Sequence, residues 1–266
     1  MTSTENKPLA VVTGASSGIG RELAKRLAKN GFDLLVNAED DRLDAAAAEL
    51  RGYGAWVRAV RADLRTAEGV EKVYTAVTAI GRPVDVAALN AGVGQGGAFL
   101  DNDLADELDV IDLNITSTVR LAKRLLHDMA VRDEGKMLIT SSVAATVPGS
   151  FQAVHNASRS FLQSFGEALQ NELRDTGITI TVLMPRPMET DFFRRAGMRG
   201  TKVGASSKDD PAGVAEQGFR ALVKGDPRLV AGSLGTMAQG VAAAVLPDRV
   251  KAAVHRQMAR PGPSSR

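Results

Sequence analysis

The run VVTGASSGIGRELA constrains this chain more than any other stretch, because three glycines fall where a strand must become a helix. Gly14, Gly18 and Gly20 follow a short apolar, β-branched run from Leu9 to Thr13 and open a segment of helical period. A strand that turns tightly into a helix gathers backbone N–H groups and the positive end of the helix dipole at one point. Glycine lets a bound group come close to that backbone. A dinucleotide pyrophosphate suits such a turn at the start of an α/β unit, which makes Gly14, Ser16, Ser17, Gly18, Ile19 and Gly20 its candidate contacts. The alternative is a glycine-rich turn that serves only to tighten helix packing.

The rest of the chain repeats the same alternation. Apolar β-rich runs stand at 9–13, 32–36, 55–60, 84–90, 136–140, 178–184 and 228–232, and segments with apolar residues at three- and four-residue steps lie between them. Strands alternating with helices imply right-handed crossovers and a parallel sheet covered on both faces. The expected fold is therefore α/β: a single Rossmann-type doubly wound sheet of about seven strands with helices on both sides. Residues 1–7 read as a polar extension and 8–266 as one domain. A Pro-, Gly- and charge-rich stretch around 188–210 reads as a substrate flap, and a helical tail occupies about 236–260. Gly177 is expected to cap the sixth helix, and Asp210-Pro211 to begin the next.

Composition narrows the chemistry. There is no cysteine, so disulfides, thiolate catalysis and Cys-ligated metals are excluded, and three scattered histidines predict no metal site. Basic and acidic residues nearly balance at a net charge of +2, with no massed basic patch, so neither nucleic acid nor a membrane is the expected partner. The polar N-terminus and the lack of a long apolar run predict a cytoplasmic protein acting on a small-molecule substrate.

Several further motifs fall in order along the chain: TGASSGIG at 13–20, ADL at 62–64, NAG at 90–92, Asn114 in a long helix, Ser141-Ser142 after the fifth strand, and a P…ET segment at 185–190. Together they resemble the short-chain dehydrogenase/reductase family from about residue 8 to about residue 232. The resemblance implies an oxidoreductase that transfers a hydride between NAD(P)(H) and a carbonyl or alcohol. It also implies a homodimer or homotetramer built on the helices at 103–131 and 152–176, although their apolar stripes equally suit burial against the sheet. By the same resemblance Asp63 holds the adenine amino group beside the Leu64 backbone, and Asn90 lies under the adenosine ribose, followed by Ala91 and Gly92. Asn114 supports a water chain to position 159, and Pro185 and Thr190 meet the nicotinamide. Glu39, with Asp40 and Asp41, repels a 2′-phosphate and favours NAD, with NADP as the alternative; Arg21 and Arg42 are the nearest bases that oppose this.

The family keeps a serine, a tyrosine thirteen residues later and a lysine four residues beyond. In this register Ser142 is followed by His155 and Arg159, an i, i+4 pair that faces one side of its helix. Arginine retains the cation, but histidine beside a cation is expected to be neutral and more readily a base than an acid. Arg186 stands where the family has glycine. It either crowds the nicotinamide and leaves the cofactor site empty, or points outward to bind an anionic substrate. Met188, Phe192 and Phe193 are expected to line the substrate pocket with it. Three readings follow: an oxidoreductase with an altered proton relay, an altered scaffold in which a Ser142–His155 pair within hydrogen-bonding reach performs hydrolysis or proton transfer, and a cofactor-binding module without catalysis.

Overall fold

The computed structural model describes residues 7–186, 196, 201, 209–232 and 247–260. In chain order it forms β1 (Leu9–Thr13), α1 (Gly18–Lys29), β2 (Asp33–Ala38), α2 (Arg42–Arg51), β3 (Val57–Arg61), α3 (Ala67–Thr78), β4 (Val86–Leu89) and α4 (Leu104–Ile111). A π-helical turn (Asp112–Thr116) joins α4 to α5 (Ser117–Arg132). There follow β5 (Gly135–Thr140), a 3₁₀ turn (Val143–Thr146), α6 (Ala153–Glu172), β6 (Ile178–Pro185), α7 (Pro211–Lys224), β7 (Arg228–Ala231) and α8 (Asp248–Ala259). All seven strands begin and end within two residues of the positions read from the sequence.

The sheet is wholly parallel in the order β3-β2-β1-β4-β5-β6-β7, the doubly wound arrangement expected. Alternation along each strand divides the core in two. Ala10 and Val12 of β1, with Leu34 and Leu138, pack against α1 and α7. Leu9 and Val11, with Leu35 and Met137, pack against α3, α5 and α6. Both faces are covered, so the central strands are buried throughout.

Two local expectations change. Gly177 does not cap α6, which ends at Glu172; a Cβ at Gly177 would collide with the Asp133 carbonyl, so glycine is there to let two backbones pass closely. The long helix expected across 103–131 is interrupted by the π turn, whose one extra residue per turn accompanies the full burial of Asn114. The expected start of α7 holds, since Asp210 accepts the N–H groups of Ala212 and Gly213 at 3.2 and 3.1 Å and proline follows at the first helical position. Of the flap at 188–210, only residues 196, 201, 209 and 210 are described, and of the tail at 236–260, only 247–260.

Leu138 sits wholly buried on β5 between β4 and β6, so Leu138→Ala is expected to cost about 2–5 kcal/mol of unfolding free energy, measured by urea denaturation.

Candidate active site

The carboxyl ends of the parallel strands share one edge, and a cleft of about 500 Å³ runs along it. One end is the glycine turn. Gly14 and Gly18 hold φ of +67° and +57°, a region that L side chains rarely adopt. A Cβ on Gly20 would strike the Gly14 carbonyl and lie 2.5 Å from Asn90 Nδ2. Ser17 precedes α1 in an extended conformation and makes no side-chain cap bond, so it does not occupy the helix N-terminal amides. Asn90 locks the floor: its N–H donates to Thr13 Oγ1 at 2.9 Å, and its Oδ1 accepts from Thr140 Oγ1 at 3.1 Å. A cleft whose wall admits no Cβ and whose backbone donors point inward fits a dinucleotide phosphate.

Past the ends of β2 and β3 the cleft is lined by acids that are already paired. Arg65 bonds both carboxylate oxygens of Asp63 through Nε at 3.0 Å and reaches Glu39 and Asp109 at 3.0 and 2.7 Å. The guanidinium holds the Asp63 carboxyl below its usual range. Asp40 is lowered chiefly by Arg42, which lies 2.7 Å away, and accepts a bond from Ser16 Oγ at 3.1 Å. Arg21 is turned toward Glu49 at 2.6 Å. Asn37 is buried and braces β3 by donating to the Val60 and Ala62 carbonyls. Arg65, directly after ADL, was the signal that sequence reading passed over.

The other end gathers Ser142, His155, Arg159 and Arg186 on the cleft wall. Arg159 is buried, donates from Nη1 to the Thr140 carbonyl at 3.0 Å, and lies so near Gly92 that a Cβ there would be 2.5 Å from Nη2. Among the described residues no carboxylate pairs with it. Burial lowers its pKa to about 10, so it remains a cation. His155 is pushed down to about 3, by burial first and by the Arg159 charge second. Its neutrality agrees with the sequence expectation, but dehydration is the larger cause. Its Nδ1 lies 3.3 Å from the Val93 carbonyl, which can only accept, so the neutral ring donates there and carries its lone pair on Nε2. Asn114 clamps the same segment: Oδ1 accepts from Val93 N–H, and Nδ2 donates to the Val93 carbonyl and to Ser158 Oγ, each at 2.9 Å.

One expected pairing is not formed. Ser142 Oγ accepts from Ala144 N–H at 3.1 Å as the cap of the 3₁₀ turn and donates to the Pro185 carbonyl at 3.4 Å, and among the described residues no hydrogen bond joins it to His155. The roof of this end was not foreseen at all. Lys251, Val254, His255 and Met258 of α8 line the cleft, and α8 is tied down where His255 Nδ1 meets the Ser150 carbonyl at 3.0 Å. No local pattern near the motifs announces a contact a hundred residues away. Leu64, Ala91 and Pro185 line the cleft as expected, whereas Met188, Thr190, Phe192 and Phe193 lie outside the described residues. Among the described residues no cluster of side chains is placed to hold a metal ion, and no helix is long and apolar enough to cross a membrane.

Comparison with known proteins places this geometry. The family model described as short chain dehydrogenase matches residues 8–199. The 3-oxoacyl-acyl-carrier-protein reductase FabG of Escherichia coli (strain K12) is 29% identical over 209 residues, which is 79% of this chain and 81% of that one. An actinorhodin polyketide ketoreductase solved with NADPH is 30% identical, with a TM-score of 0.78 over 87% of this chain and 98% of its own. A short chain dehydrogenase/reductase from Burkholderia phymatum, solved with NAD, is 25% identical, with a TM-score of 0.79 over 88% of this chain and 92% of its own.

Burying His155 neutral ties stability to pH. Its folded pKa lies below the unfolded value of 6.5, so as pH falls the unfolded chain takes up the proton first. Stability is then full above pH about 6.5 and is lost progressively toward pH about 3. Between pH 7 and pH 5 the loss from this residue is about 2 kcal/mol. In urea melts across that range, His155→Gln should remove this share and leave the smaller slope due to His255, which burial also lowers.

Proposed function

The chain belongs to the short-chain dehydrogenase family, and from that premise we propose that it transfers a hydride between a nicotinamide dinucleotide and a carbonyl or alcohol carbon, with His155 and Arg159 standing where relatives keep tyrosine and lysine. The observation that carries the reading is one cleft with a glycine cradle at one end and Ser142, His155 and Arg159 at the other. When bound, the nicotinamide supplies the hydride in reduction and accepts it in oxidation, while a proton is added to or taken from the substrate oxygen.

The chain's own groups divide the remaining work. Gly14, Ser16, Ser17, Gly18, Ile19 and Gly20 hold the pyrophosphate. Glu39, Asp63, Leu64, Asn90, Ala91 and Gly92 meet the adenosine half, and Pro185 and Thr190 meet the nicotinamide. Arg159 keeps a fixed cation beside Gly92 for the second ribose, and Ser142 orients the substrate oxygen. Asn114 is a positioning residue, because it fixes the Val93 carbonyl that sets the His155 tautomer. NAD is the favoured cofactor and NADP the alternative. Glu39, Asp40 and Asp63 face the adenosine end, and Arg42 and Arg65 are already neutralised by them. A homodimer or homotetramer is supported by exposed Leu104 and Leu108 on α4 and Phe161 on α6.

His155 is what separates this chain from an efficient reductase. With a pKa of about 3, about one imidazole in ten thousand is protonated at pH 7, so an alkoxide formed in reduction finds little acid nearby. That observation also favours a second reading, a dinucleotide-binding protein that turns over very slowly. The hydrolytic reading has less support, because among the described residues no hydrogen bond joins Ser142 to His155 and the Ser142 hydroxyl bonds the Pro185 carbonyl at 3.4 Å.

The double variant His155→Tyr, Arg159→Lys is expected to raise kcat/KM for ketones by about 100- to 10,000-fold, followed as loss of NADH absorbance. No NADH or NADPH oxidation by either protein across a wide ketone and aldehyde panel removes the hydride-transfer reading. Calorimetry should show NAD(H) binding to the unaltered chain and weaker binding of NADP(H). Gly20→Val should abolish both, because its side chain meets the Gly14 carbonyl.

A further inference from the structure

The charges that line the cleft are sorted along it. The lining acids Glu39, Asp40 and Asp63 all lie at the adenosine end, and each is paired with an arginine. The reacting end holds Arg159, Arg186 and Lys251, together with two histidines that burial keeps neutral, and among the described residues no carboxylate lines it. Arg186 follows directly on Pro185, whose carbonyl accepts the Ser142 hydroxyl, so it joins the cleft wall within one residue of that contact. Its Nε is buried and meets no hydrogen-bond acceptor, and among the described residues Arg186 forms no ion pair. A buried donor without a partner is costly, and it is satisfied most readily by a ligand that brings an acceptor.

Lys251 comes from the opposite side. It projects from α8, its side chain is only 13% exposed, and among the described residues its one ion-pair partner is Asp248, 3.3 Å away and itself largely in solvent. Helix α8 is held over the cleft by His255 on the Ser150 carbonyl and by Ser150 Oγ on the Ala252 carbonyl at 3.4 Å. A guanidinium just past β6 and an ammonium from α8 therefore line the same cleft as Ser142, together with Val254 and Met258.

We propose that the substrate is an anionic carbonyl compound whose carboxylate or phosphate is held between Arg186 and Lys251 while its carbonyl lies on Ser142. Both anions match the planar fork of a guanidinium, and the ammonium adds a second point charge. The inference rests on the hydride-transfer reading for its chemistry, in which the carbonyl gains a hydride at carbon and a proton at oxygen to give the hydroxy acid or hydroxyalkyl phosphate. It rests on the cleft alone for binding. Arg186 thereby has a role that a glycine at the same place does not offer.

The test uses matched probes on the full chain: pyruvate, acetoacetate and levulinate, each against its methyl ester, and dihydroxyacetone phosphate against dihydroxyacetone. For at least one pair the anion should be favoured at least tenfold in kcat/KM, mostly through KM, and the identity of that pair separates carboxylate from phosphate. The preference should shrink toward unity in Arg186→Met and Lys251→Met and persist in part in Arg186→Lys, with circular dichroism confirming that each variant is folded. Calorimetric binding of the same pairs in the presence of NAD gives a readout that needs no turnover. Equal or better use of every neutral member, or a preference unchanged in both Met variants, overturns the proposal. So does calorimetry in which no anion binds more tightly than its neutral match. If nothing is turned over yet an anion binds through Arg186, the hydride-transfer reading fails and the anion site stands.

Discussion

Thr13 Oγ1 accepts the N–H groups of both Asn90 and Ala91, at 2.9 and 3.0 Å, where the chain leaves β1 and β4. That is the point at which the order of a doubly wound sheet reverses, and helices leave to opposite faces on either side of it. Without a cross-link the two loops would part and the cleft would have no floor. The same asparagine takes a bond from Thr140 on β5 and sits against Gly20 of α1, so four elements are registered through one side chain. The glycines are required because this junction is already closed by backbone and amide atoms. It contains no ion pair, which leaves the floor neutral and lets charge be placed separately at each end.

At the end that holds Ser142 a cation is buried against a backbone carbonyl, and among the described residues no carboxylate pairs with it. Arg159 donates to Thr140, and the neighbouring histidine bears the consequence. Dehydration already disfavours a proton on His155, and a fixed positive charge one helical turn away disfavours it further. A tyrosine at the same place would respond in the opposite functional sense, because a cation stabilises its anion and so brings its pKa toward neutrality. The same electrostatic field that helps one proton donor disables the other. Asn114 then fixes what remains: by holding the Val93 backbone from both sides it decides which imidazole nitrogen carries the hydrogen.

How much of this was legible in the sequence depends on range. Strands of five or six apolar residues between glycine turns could be placed to within two residues, because burial on both faces leaves a continuous apolar signal. The i, i+4 pairing of His155 and Arg159 was equally plain, since helical geometry alone fixes it. The end of α6 is not legible at Gly177, because a glycine after a helix suggests a cap, whereas Gly177 answers a close approach by Asp133 from another loop. The π turn at Asn114 left no mark in the spacing of apolar residues. Arg65 was visible but silent, for its meaning depends on Glu39 and Asp109, which are distant in sequence. The Ser142 cap of the 3₁₀ turn is a local bond that its spacing from His155 does not announce.

The contact that sequence reading had least hope of finding is the one with α8. A helix near the C-terminus with exposed Val250 and Val254 reads as a solvent-facing tail, and its lysine as ordinary surface charge. Docked by His255 onto Ser150, it turns one side toward the cleft and brings a cation to a wall that already holds two. Like charges gathered in a partly enclosed space repel one another unless a ligand of opposite sign joins them. Past the ends of β2 and β3 the chain solves the same problem itself, by matching each lining acid with an arginine. At the other end Lys251 has a carboxylate, Asp248 at 3.3 Å, but among the described residues none pairs with Arg159 or Arg186, so a bound group of opposite sign would relieve the repulsion there.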